Sequence, residues 1–174
     1  NVGVVSTDGD ALFYNPGMLA QSRGSAISMQ RYGSQGTAGS MATATTSGSM
    51  TVGIGAQFVN YSAPLGARYA DVVKPGGTRL SDSGAVSATS TALTFGFAKT
   101  IKGFRLGASA KYVEDRIGAI HDGTVAFDIG LNRVMGPGTA GFVVQNLGVG
   151  PRIDGIEGTL PRRIGVGYSV NRSI

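Results

Sequence analysis

Large apolar side chains alternate with small or polar ones along most of this chain, at the period of two that belongs to β-strands. The alternation is clearest in residues 104–114. There Phe104, Leu106, Ala108, Ala110 and Tyr112 share one face, and Arg105, Gly107, Ser109 and Lys111 share the other. Val125, Phe127, Ile129 and Leu131 oppose Ala126, Asp128, Gly130 and Asn132 in the same way. Ile164, Val166, Tyr168 and Val170 oppose Arg163, Gly165, Gly167 and Ser169. Val52, Ile54, Ala56 and Phe58 oppose Thr51, Gly53, Gly55 and Gln57, and Leu93, Phe95 and Phe97 oppose Thr94, Gly96 and Ala98. The pattern predicts eight strands, over 26–33, 39–46, 50–61, 86–100, 104–114, 124–132, 140–147 and 162–172.

Many of these runs are about ten residues long, whereas strands of globular sandwiches average nearer five or six. About ten alternating residues cross a bilayer at a tilt. One face is large and apolar; the other holds Gly, Ser, Thr and a few charges. The connections also sort by side. The turns at 47–49, 100–103 and 135–138 are short and fall on one side. The connections at 34–38, 63–85, 117–122 and 148–161 fall on the other and include the long ones. Short turns on one rim and longer loops on the other are the habit of outer-membrane barrels, whose short turns are periplasmic. The reading is therefore all-β: an antiparallel transmembrane β-barrel with an apolar exterior. A soluble β-sandwich gives the same alternation and is the competing architecture.

The one stretch outside this pattern, residues 10–20, precedes every strand. Pro16 suits the first position of a helix, and Asn15 before it can cap the turn with its side chain. Met18, Leu19 and Ala20 then make one short helical turn, stopped by Gly24. Leu12, Phe13 and Tyr14 are too apolar for a solvated tail. The stretch is either an ordinary loop tucked on a core or a plug at the mouth of the barrel. The parity of the turns puts it on the periplasmic side. The chain divides into a plug segment, 1–24, and barrel strands, 25–174.

Composition agrees. Charged residues are only 14 % of the chain, against a usual quarter, and Gly supplies 29 of 174 residues. No run of about 18 apolar residues offers a transmembrane helix. The first residues lack the basic start and apolar run of a signal peptide, so the chain reads as mature or as truncated at its start. Cys is absent, which removes disulfides and thiolate metal sites. The net charge of +5 is scattered, with no basic run or basic-aromatic platform, and speaks against nucleic acid as a partner.

Candidate chemistry is sparse. The single histidine, His121, lies in an expected turn, so a zinc site is not expected. His121 and Asp122 have no serine at a defined spacing for a triad. Gly53-Ile54-Gly55 and Gly165-Val166-Gly167 do not open a helix, so they read as small strand positions rather than a nucleotide fingerprint. The carboxylates form no recognisable acid/base pair. No catalytic residue, metal or cofactor is expected, and the protein is read as non-enzymatic. One charge pair stands out. If 104–114 and 124–132 form a hairpin centred on Ala119 and Ile120, Lys111 lies opposite Asp128 on the polar face, with Tyr112 beside Phe127 on the other. The two charges are expected to meet inside the lumen.

The segment Asp10-Ala11-Leu12-Phe13-Tyr14-Asn15-Pro16-Gly17-Met18-Leu19-Ala20 resembles the NPA box near the start of FadL-like outer-membrane proteins, in its PorV/PorQ form. The likeness continues through Lys111-Tyr112, Asp128-Ile129-Gly130-Leu131, Val144-Gln145-Asn146-Leu147-Gly148, and Leu160-Pro161 leading to Arg163-Ile164-Gly165. Asp10, Leu12, Phe13, Tyr14, Asn15, Pro16, Gly17 and Leu19 carry the plug motif. The resemblance implies a monomeric 14-stranded barrel in a bacterial outer membrane, of which this chain holds about eight strands, with outer-membrane lipid around it. FadL relatives pass small hydrophobic molecules through a plugged lumen; PorV relatives receive cargo or partner proteins of type IX secretion. Gly17 stands where Ala is usual, an initial Gly-rich segment and several later strands of the family are missing, and Ile174 is not the aromatic residue that ends many such barrels.

Overall fold

The computed structural model describes residues 9–64, 85–117, 120–153 and 156–170. The core of the long connection expected over 63–85 lies outside them, as do positions 118–119 of the expected turn. A short helix, α1 (Ala11–Tyr14), is followed by a 3-10 helix (Pro16–Gln21). The strands are β1 (Gly24–Tyr32), β2 (Gly36–Ser47), β3 (Met50–Pro64), β4 (Ala85–Ile101), β5 (Phe104–Ile117), β6 (Ile120–Met135), β7 (Gly138–Gly148), β8 (Arg152–Ile153), β9 (Ile156–Glu157) and β10 (Arg163–Val170).

Eight of these strands form one antiparallel sheet in the order β1-β2-β3-β4-β5-β6-β7-β10, curled into a half-barrel. Each long strand pairs with its neighbour in sequence, so the sheet is a meander with β1 and β10 at its edges. β8 and β9 pair only with each other, as a small hairpin in the connection between β7 and β10.

Alternation sets the two faces. Ile27, Met41, Ile54, Phe95, Phe127, Ile129, Ile164 and Val166 all stand on one face, and they are exposed, Ile27 to 82 % and Val166 to 77 %. The other, inner face carries Ala42, Ala44, Thr51, Thr94, Ala98, Ser109, Lys111, Ala126, Asp128 and Asn132, all buried. A water-soluble domain hides its large apolar residues; this sheet presents them. The buried cluster is small, and it lies between the inner face and the N-terminal segment: Leu12, Phe13 and Leu19 against Ala42, Ala44 and Ala98.

Tight turns fix the register on one rim. Between β4 and β5, Lys102 and Gly103 both have positive φ, 49° and 80°. That is the two-residue turn whose twist matches antiparallel strands. Gly48 and Gly136, each at φ 60°, serve the β2–β3 and β6–β7 turns on the same rim.

The structure corrects several expectations. In the β5–β6 hairpin, Ile117 pairs with Ile120, two positions out of the expected register. Lys111 therefore lies opposite Ala126 and Asp128 opposite Ser109, while Tyr112 faces Val125 and Phe127 faces Ala110. A slip of two keeps every side chain on its own face, so the expected faces stand although the partners differ. The hairpin is also longer than its apolar pattern, because backbone pairing continues through Glu114–Gly123, Asp115–Asp122 and Arg116–His121. His121 is thus a strand residue, not a turn residue. The helix α1 is an addition to the expected elements. The 3-10 helix starts at Pro16 as expected, but it ends at Gln21 with an extended Ser22 rather than at Gly24, which opens β1.

Candidate functional site: the N-terminal segment on the inner face

The segment 10–21 folds as two short turns because its middle cannot be one helix. Asn15 is extended (φ −157°, ψ 101°), as a residue before proline tends to be. This breaks the chain between α1 and the 3-10 helix. The Asn15 side chain then caps the second turn, its Oδ1 accepting the Gly17 N–H at 3.0 Å. The Asp10 side chain makes no corresponding cap for α1.

Two kinds of contact hold the segment. The first is apolar. Leu12 and Leu19 converge on Gly96 of β4, and a methyl group added there would lie 2.5 Å from Leu12 Cδ1 and 3.1 Å from Leu19 Cδ1. Phe13 fills the space over Gly55 of β3 in the same way, with its Cζ 2.5 Å from the position of an added carbon. The strand glycines here are clearances for the side chains above them.

The second kind is polar and reaches the other half of the sheet. Asn15 Nδ2 donates to Asn132 Oδ1 of β6 at 3.1 Å and, at 3.4 Å, to the Phe142 carbonyl of β7. Gln145 Nε2 of β7 donates to the Phe13 carbonyl at 2.9 Å. Between these bonds the Pro16–Gly17 backbone lies directly on Gly107 and Gly130, which leave no room for a side chain. Ser22 closes the turn by donating from Oγ to the Met18 carbonyl at 3.0 Å.

Of the expected motif, Leu12, Phe13, Asn15, Pro16, Gly17 and Leu19 are buried against the sheet, while Asp10 and Tyr14 are only partly covered. Tyr14 borders an inner-face recess of about 150 Å³ with Ser28, Ser40 and Gln57.

Beside the segment is a charged cluster. Lys111 Nζ sits 3.0 Å from Asp128 Oδ2, and the Asp128 side chain is fully buried. Ser109 Oγ donates to the same oxygen at 3.3 Å, and Lys111 also donates to Asn146 Oδ1 at 2.6 Å. Asp128 Oδ1 accepts the Asn146 N–H at 2.8 Å. The β6–β7 register shifts at this point, between Phe127 and Ile129, and Asn146 has φ 60°. Asp128 thus holds a β-bulge in place. Asn146 Nδ2 passes the link on to the Pro161 carbonyl at 2.9 Å, just before β10.

Sequence reasoning singles out Asn15 and the Lys111–Asp128 pair but misses Asn132 and Gln145 as partners of the segment. Both are polar residues on the inner face of strands, and that is the available signal. Which of the inner-face polar residues the segment reaches is not encoded in any local spacing.

Among the described residues, no group of three or more His, Asp or Glu side chains is placed to hold a metal ion. No family model, curated protein or solved structure matches the chain.

Proposed function

We propose that this chain belongs to a non-enzymatic β-barrel of the bacterial outer membrane, and that its N-terminal segment plugs the lumen and controls the passage of small hydrophobic molecules. The observation that carries this reading is the polarity of the sheet. Its large apolar side chains face outward over all eight strands, and its small and polar ones face the segment. Hydrocarbon satisfies such an exterior, and a closed ring of strands satisfies its edges. The FadL-like character of residues 10–20 supplies the class of solute.

The test is reconstitution. The protein is incorporated into liposomes, and the uptake of a small hydrophobic fluorophore is followed with Asn15→Ala beside the unaltered chain. The reading expects membrane insertion, slow uptake by the unaltered protein and faster uptake by the variant at equal incorporation. Recovery of the folded protein in detergent-free buffer, with no association with liposomes, overturns the membrane reading. Insertion with equal uptake by both proteins overturns the plug and leaves a barrel that docks partner proteins, as PorV relatives do.

A further inference from the structure

We infer that the N-terminal segment is an arch with a fixed base and a releasable crown, and that Asn132 and Gln145 are the latch that holds the crown down. The base is Leu12 and Leu19. Seven positions apart in the chain, they meet over the same glycine, Gly96, and so pinch the segment into a loop whose two feet share one site. Phe13 adds to this base on Gly55. The crown runs from the Phe13 carbonyl to Gly17 and crosses to β5, β6 and β7, while the fully buried Met18, whose N–H donates to the Asn15 carbonyl, stays with the base.

The two parts are held by different physics. Lifting the base exposes leucine and phenylalanine side chains to water, which offers no substitute for their packing on the sheet. Lifting the crown breaks the Asn15–Asn132, Asn15–Phe142 and Gln145–Phe13 hydrogen bonds, each of which water can replace. Beneath the crown, Gly107 meets the Pro16 and Gly17 backbone, and Gly130 meets the Gly17 nitrogen and the polar Asn15 carboxamide. The internal bond from Gly17 N–H to Asn15 Oδ1 travels with the crown and need not break. Opening therefore begins at β5–β7 and pivots on the two leucines, which stay docked on β3 and β4. Asn132 and Gln145 act as positioning residues, and the inference holds whether or not the sheet lies in a membrane.

Amide hydrogen exchange of the folded protein in detergent micelles, read residue by residue, tests this. In Asn132→Leu, the Met18 amide is expected to exchange about tenfold faster, while the Phe13 amide and the amides of β3 and β4 keep their rates. Gln145→Ala, a smaller change, should act in the same direction and serves alone if the first variant does not fold. Leu12→Ala should accelerate Phe13 and Met18 together. Equal acceleration of Phe13 and Met18 in the latch variants would mean that the segment opens as one unit, and no acceleration would mean that the two amides are not a latch. Either result overturns the inference.

Discussion

Lys111 meets Asp128 diagonally, not face to face: its Nζ lies 3.0 Å from Oδ2 although Ser109 is the residue directly across the ladder from Asp128. A long flexible side chain on β5 reaches past one position to a short one on β6. The diagonal leaves the other carboxylate oxygen to accept the Asn146 N–H and fix the bulge in β7. One buried carboxylate therefore neutralises a cation and shapes a strand.

Replacing Asp128 with Ala should accordingly be costly. It strands the Lys111 ammonium at a buried position and removes the acceptor from Asn146. A loss of about 3–5 kcal/mol is expected, as for other broken buried pairs. Urea unfolding followed by circular dichroism measures it. Adding Lys111→Met to the Asp128→Ala chain should recover part of the loss, because the uncompensated charge is gone while the bulge remains unsupported.

Gly130→Ala should expel the crown of the segment without unmaking the sheet. The added methyl collides with the Asn15 side chain and the Gly17 nitrogen. Limited proteolysis should cut within residues 9–22 sooner than in the unaltered protein, at a stability cost of about 1–3 kcal/mol. An unchanged cleavage rate would show that the segment does not rest on Gly130.

Phe95→Arg separates the two environments open to the outer face. Phe95 is exposed to 55 % and lies midway along β4. In a bilayer the change should cost about 2–4 kcal/mol near the midplane. On a water-facing surface it should stay within about 0.5 kcal/mol. Urea titration of protein folded into lipid vesicles distinguishes the two.

Lys102→Asn should stabilise the β4–β5 hairpin. Lys102 holds φ 49°, which costs an ordinary L-residue strain that asparagine relieves through its local hydrogen bonding. A gain on the order of 0.5 kcal/mol is expected in the same unfolding assay.

Much of this fold is legible in the sequence because a period of two survives any even slip. Each face assignment from Thr51 to Ser169 stands in the structure, while the Lys111–Asp128 register moves by two. The turn centre is hard to read because Asp115, His121 and Asp122 look like loop residues, yet they pair through their backbones. The bulge at Asn146 depends on a carboxylate from another strand and leaves no mark on its own neighbours in sequence. α1 is four residues long and follows an Asp10 that makes no side-chain cap, so neither period nor cap announces it. Asn15 is legible because its capping bond is local. Its bonds to Asn132 and Phe142 are not, because sequence spacing says nothing about residues 117 and 127 positions away.

Those separations also set an order in time. The segment precedes every described strand, yet the Gln145–Phe13 bond spans 132 positions and waits for β7. Leu12 and Leu19 can find Gly96 as soon as β4 is paired, whereas the crown has nothing to grip until the last hairpins are in place. A segment that precedes the described strands is thus fastened after them, and its fastening reports that the sheet beneath it has been assembled in register.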